Sequence, residues 1–164
     1  ARLIIIAMTT KTELQNKIQE LEAELQEAKS QLSSYKEITI ETASAGDTLE
    51  DGSIVLKKEN GLALLLAPKS TEVECPWSKD FPKVFQKLEE QGFNPSQWLV
   101  PTKEQLRLAY QSIPYEFSTT IYWYWSSTEV NATDAYIVGH TTGSGCNIHK
   151  SRELRVRAFR CVTY

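Results

Sequence analysis

Histidine and cysteine are scarce here, with two and three copies among 164 residues. Cys75, Cys146 and Cys161 form no C-x-x-C pair, so neither a zinc ribbon nor a dense disulfide scaffold is encoded, and at most one intrachain bridge can form. Long apolar runs are missing too. Even Leu3 to Met8, which no apolar run exceeds, falls far short of the roughly 18–20 residues that span a bilayer, which excludes membrane insertion by a helix. No charge dominates: Lys and Arg total 18 against 21 Asp and Glu, a net charge of −3, which argues against nucleic acid or an anionic membrane as a partner held by charge alone. G-x-S-x-G, H-E-x-x-H and a phosphate-cradling glycine loop are absent, and with them the commonest hydrolase, metalloprotease and nucleotide-binding signatures. What is present is the composition of an ordinary globular chain, 41% hydrophobic and 24% charged.

No Gly or Pro precedes Gly46. Within that unbroken stretch apolar residues fall at Leu14, Ile18, Leu21, Leu25, Ala28, Leu32 and Tyr35, spaced alternately by four and three. That is a heptad, with Ile18, Leu25 and Leu32 at position a and Leu14, Leu21, Ala28 and Tyr35 at d. Thr10 and Glu13 match a T-x-x-E capping box, so the helix is expected over 10–38, behind an N-terminal segment 1–9. Arg2 and the short apolar run lack a signal-peptide cleavage site, and Met8 reads as a natural start. Residues 1–7 are then upstream sequence or a real strand or helical turn. Lys17 at g with Glu22 at the next e, and Glu24 with Lys29, complement each other between parallel copies in register, so the helix is expected to self-associate. Leu at a and the small Ala28 at d favour a trimer over a dimer.

A Thr/Ser/Ala-rich linker is expected over 39–46, followed by one domain over 47–164. Asp51-Gly52 and Asn60-Gly61 are turn signals around Ser53–Leu56 and Leu62–Ala67, which read as an antiparallel hairpin. A first helix from Ser78 or Asp80 to Gln91 presents Phe81, Val84, Phe85 and Leu88 on one face. A second opens at Thr102 with a T-x-x-Q box and buries Leu106, Ala109, Tyr110 and Ile113. Strands are expected at Ile121–Ser126, Ala135–Val138 and Leu154–Val162. Hairpin, two helices and several strands make an α+β fold with no parallel sheet.

Chemistry is sparse. His140, Cys146 and His149 are too few to be a convincing metal site, and Glu129 and Asp134 read as solvated loop acids rather than hard-cation ligands. Neither a metal nor a cofactor is expected. Lys150, Arg152, Arg155, Arg157 and Arg160 could attract a sulfated or phosphorylated polymer, but a structural role weighs more.

Three stretches in order, Trp98–Leu106, Tyr124–Glu129 with Asp134-Ala135-Tyr136, and Lys150 with Arg155–Val162, resemble the Lcl_C family. That family is named for the C-terminal domain of a bacterial collagen-like adhesin, with the pattern W-R-L-P-T-x-x-E-L, Y-W-S-S-[ST] and a closing V-R-x-V-R. Leu99 and Val100 depart from it where Arg and Leu are usual. The resemblance covers residue 47 onward and implies a C-type-lectin-like domain behind the parallel coiled coil. It implies use in adhesion, trimeric surface proteins and phage fibres, and structural roles for some of the arginines. The calcium-dependent sugar-binding tripeptides of true lectins are missing. The same fold supports formylglycine-generating oxidases, but Cys146 and Cys161 lack their spacing, and no enzyme is expected.

The expectation is therefore a homo-oligomeric, non-enzymatic virion fibre or receptor-binding protein, or alternatively a bacterial cell-surface one, whose head binds a host surface glycan or protein. A purely architectural fibre or decoration protein docked among other virion proteins is the alternative. The recognition surface is expected at the rings of Tyr122 and Tyr124, with Thr141, Thr142, Asn147 and His149 on a glycine-loosened loop nearby, and the equal alternative is that the two tyrosines pack under the hairpin as core. Trp125 is expected in the core.

Overall fold

The computed structural model describes residues 2–34, 38–117, 123–139 and 143–164, with side chains of the first segment described from Thr10 to Gln31. The chain divides into two units, 1–37 and 38–164. The first is α1 (Arg2–Ser34), one helix of 33 residues. It starts well before Thr10, because nothing from Leu3 to Met8 breaks a helix, and the T-x-x-E sequence lies inside it. Leu14, Ile18, Leu21 and Leu25 are between 51% and 65% exposed. Tyr35 and the side chain of Leu32 lie outside the described residues.

In the second unit, β1 (Ile54–Glu59) and β2 (Leu62–Leu66) form the expected hairpin. Asn60 at φ 53° and Gly61 at φ 75° make the turn, the pair of positive angles that a tight hairpin requires. Next come β3 (Val73–Cys75), α2 (Pro82–Glu90) and α3 (Lys103–Ser112). α2 begins later than expected because Pro82 disfavours helical backbone at the residue before it. Phe81 stands at φ 39° instead, its amide held by Ser78 Oγ at 3.0 Å. Thr102 and Gln105 close the capping box of α3 reciprocally. The remaining strands are β4 (Trp123–Glu129), β5 (Asp134–Gly139), β6 (Ser144–His149), β7 (Leu154–Val156) and β8 (Phe159–Thr163).

Two sheets result, ordered β1-β2-β8 and β3-β7-β4-β5-β6. The α+β class holds, with one correction: β4 and β7 run parallel, meeting at Tyr124 and Arg155. The single strand expected over Leu154–Val162 is two, because the chain leaves one sheet at Val156 and enters the other at Phe159. Arg157 pins this crossing. It is fully buried, and its guanidinium donates to the Ala67 carbonyl (2.7 Å), the Glu116 carbonyl (3.3 Å) and the Glu116 carboxylate (3.5 Å). Burial pulls this guanidinium below its usual range and the Glu116 charge opposes the shift.

Both faces of the five-stranded sheet are covered. Trp125, Ile137 and Val156 pack with Phe81, just before α2, and with Val84 and Leu88 from α2, while Tyr124 and Val138 pack with Leu106, Ala109 and Tyr110 from α3 and with Phe159 of the smaller sheet. A third cluster joins Val55, Ala63 and Leu65 to Ala43, with Ile40 and Leu49 against it. Residues 39–46, expected as a free linker, therefore contribute to the core of the second unit.

Candidate recognition surface

Tyr122, Thr141 and Thr142 lie outside the described residues. Tyr124 does not belong to an exposed platform: it is completely buried. Its ring meets Phe117 at 5.3 Å and Tyr110 at 6.3 Å, and its hydroxyl donates to the Glu72 carboxylate at 2.7 Å. The physical reason is two-sided burial of β4, in which Trp125 serves one core and Tyr124 the other. Glu72 gathers three donors, because Lys69 Nζ (2.7 Å) and Arg155 Nη1 (3.1 Å) reach it as well. Burial and the neighbouring Glu72 push the Tyr124 hydroxyl above its ordinary value, so it stays a hydrogen-bond donor at physiological pH.

Asn147 and His149 are exposed as expected, but on a strand rather than a loop. β6 pairs with β5 through its whole length, placing Asn147 opposite Tyr136 and His149 opposite Asp134. Gly145 is needed there for space. A Cβ at that position would stand 2.5 Å from both the Tyr136 ring and the Ile137 carbonyl oxygen. Gly143, at φ 67°, supplies the turn into the strand.

Directly opposed residues on paired strands share a face, so Asn147 stands beside Tyr136 and His149 beside Asp134. Tyr136 is half-buried, and α3 brings two cations to its ring: Lys103 Nζ at 5.1 Å and the Arg107 guanidinium at 5.3 Å, the latter also donating to the Tyr136 hydroxyl. An aromatic ring, two cations and an amide thus share this face, and the His149 imidazole lies two residues further along β6, 2.8 Å from Ser151 Oγ. Tyr136 was legible as part of the Asp134-Ala135-Tyr136 stretch, but its neighbours on α3 could be found only by folding the chain. No protein-family model matches this chain, and no curated protein matches it.

Four of the five clustered cations have partners inside the second unit. Lys150 holds Glu129 and the carbonyls of Asn131 (2.8 Å) and Ala132 (3.0 Å), with its charge 4.6 Å from the Trp77 ring. Arg155 is bound to Glu72, Arg157 to Glu116, and Arg160 to Asp51 at 2.8 Å. Asp134 receives Asn131 Nδ2 at 3.0 Å. Among the described residues no group of three His, Cys, Asp or Glu side chains is placed to hold a metal ion. Cys75 is buried, which pushes its thiol up, and Cys146 and Cys161 are free and exposed.

Proposed function

We propose that this chain is a self-associating attachment protein: α1 forms a parallel stalk, trimeric by preference, and 38–164 is a C-type-lectin-like head that binds a surface glycan or protein without catalysis. The observation that carries this reading is the heptad seam of α1, whose four described large apolar residues from Leu14 to Leu25 are all more than half exposed in the single chain. An apolar stripe of that length without a partner is costly in water, and a parallel copy of itself is the surface that matches it at every a and d position. The Lcl_C resemblance supports the same reading of the head and extends it to a phage fibre or receptor-binding protein of the virion, with a bacterial cell surface as the alternative setting.

The face formed by Tyr136, Asn147 and His149, flanked by Lys103 and Arg107, is the surface we assign to recognition. A half-exposed ring stacks on a sugar or a peptide side chain, and the surrounding donors orient it. Leu21→Asp together with Leu25→Asp tests the stalk. The double variant should be monomeric by native mass measurement while the head keeps its melting transition. Retention of the full oligomer mass would show that the heads associate by themselves and would remove the stalk reading.

A further inference from the structure

The two outer edges of the smaller sheet are treated differently. Along β1 the outward backbone groups of Val55 are taken by Gly46 (2.8 Å) and Asp47 (2.9 Å), with Thr48 bridged to Ile54, so the segment that precedes β1 closes that edge at its first residues. β8 is closed at one point only. Phe159 exchanges both of its backbone hydrogen bonds with Leu99, each at 2.8 Å. Antiparallel pairing alternates, and Ala158 and Tyr164 are bonded toward β2 through Ala67 and Gly61. Arg160 and Val162 therefore face β2, while the N–H and C=O groups of Cys161 and Thr163 point outward with no partner among the described residues.

The chain that pairs with β8 at Leu99 could have continued along it. It does not, because Pro95–Gln97 form a 3-10 turn that stands away from the strand. The gap is a cleft of about 640 Å³ with Ser96 and Gln97 on one wall and β8 on the other. Ile40, Leu49, Leu65 and Val162 give it an apolar lining on one face of the sheet, and Arg160 lies beside them, stacked 4.7 Å above the Trp98 ring. Arg160 Nε and Trp98 Nε1 are buried donors without partners among the described residues.

We propose that the open edge of β8 receives an extended segment of a partner polypeptide, added as a further strand, with apolar side chains at alternate positions seated in this cleft. The backbone commits the occupant. Two donor and acceptor pairs spaced two residues apart, about 6.8 Å, match another extended main chain; a helix has already spent its own groups internally, and a sugar lacks that repeat. The lining fixes the pattern: one set of alternate side chains meets Ile40, Leu49 and Val162, and the other points away. This surface is distinct from the one around Tyr136 and does not depend on the stalk.

The test uses the full chain and a randomised library of eight-residue synthetic peptides. Selected peptides should alternate apolar residues, and a bound peptide should slow hydrogen exchange at the Cys161 and Thr163 amides at least tenfold. N-methylation of one alternate set of peptide amides should weaken binding at least tenfold while the other set tolerates it. Thr163→Pro removes an outward donor without touching the ladder to β2, so it should weaken binding to the same degree with little change in melting temperature. Leu49→Arg, which blocks the cleft away from the ladder, should do likewise and stands in if the proline variant folds poorly. Failure to select any peptide, or protection at Gly145 and Asn147 instead, overturns the proposal. So does affinity indifferent to N-methylation and to both variants. Concentration-dependent protection of Cys161 and Thr163 without peptide would assign the edge to a second copy of this chain and overturn it as well.

Discussion

Tyr124 shows how a single side chain can look like a binding group in the sequence and be a structural one in the fold. Its hydroxyl is one of three donors on Glu72, so Tyr124→Phe leaves a largely buried carboxylate short of a hydrogen bond. The expected cost is about 1–3 kcal/mol, read as a lower denaturation midpoint, with no change in attachment. Tyr136 behaves oppositely toward attachment. Tyr136→Ala should abolish attachment to cells or immobilised glycan at temperatures where the variant remains folded, with a lowered melting temperature because the ring also packs against the core and holds Arg107. Gly145→Ala should weaken attachment by displacing that ring; unchanged binding in both variants would remove this face from recognition. Asp51 adds a pH-dependent contribution. Burial raises its carboxyl, but hydrogen bonds from Ser53 and the Arg160 charge outweigh this and hold it below its ordinary 3.8. The native state thus favours the ionised form, and the resulting stability is present above pH 3.8 and lost as pH falls through the lowered native value. Asp51→Asn should accordingly lower the melting temperature at pH 7, and the gap to the parent chain should close in acid.

At the scale of elements, legibility followed how local the causing interactions are. The hairpin around Asn60-Gly61 and the capped start of α3 depend on neighbours a few residues away, and both were readable from spacing alone. Thr102→Ala should cost about 1 kcal/mol in unfolding free energy by removing the acceptor for the Gln105 amide. β6 was read as a loop because Gly143 and Gly145 look like flexible punctuation. One is a turn, but the other is a strand glycine cleared for the Tyr136 ring, a demand set by the partner strand. The unbroken apolar run Tyr122–Trp125 was itself a sign of burial on both faces, and of the two readings it left open, an exposed platform and a packed pair, Tyr124 follows the second. The exposure of Asn147 and His149 followed from their polarity, whereas Lys103 and Arg107 reach the Tyr136 ring only through the packing of α3 on β5. In α1 the heptad frame carries back beyond Leu14, with Ala7 at d and Ile4 at a, but with Lys11 at an a position. A polar residue in the seam fixes register at some expense of stability. Lys11→Ile should therefore raise the thermal stability of the assembly and broaden its distribution of oligomeric states in native mass spectra.

For the molecule as a whole, the division at residues 37 and 38 separates the unit proposed to set the number of heads from the unit proposed to recognise a ligand. The head depends on Arg157, a buried cation at the point where the chain passes from one sheet to the other. Arg157→Met would strip donors from the Ala67 and Glu116 carbonyls and leave the Glu116 carboxylate unpaired, at a cost of about 3–5 kcal/mol, a large share of the ~5–15 kcal/mol that holds a typical domain together. The proposed stalk would multiply such heads. Heads joined through short connections act at millimolar effective concentration toward one another's ligands, and avidity exceeds single-head affinity by about 10²–10⁴ when the geometry allows simultaneous engagement. The Leu21→Asp, Leu25→Asp chain should consequently bind a dense ligand surface about 10²–10⁴ times more weakly than the parent, chiefly through faster dissociation, while both bind a soluble monovalent ligand equally. Surface plasmon resonance at high and low ligand density separates the two quantities. Equal loss on both surfaces would mean that the substitutions damage the head, and no loss on the dense surface would mean that the stalk contributes nothing to attachment.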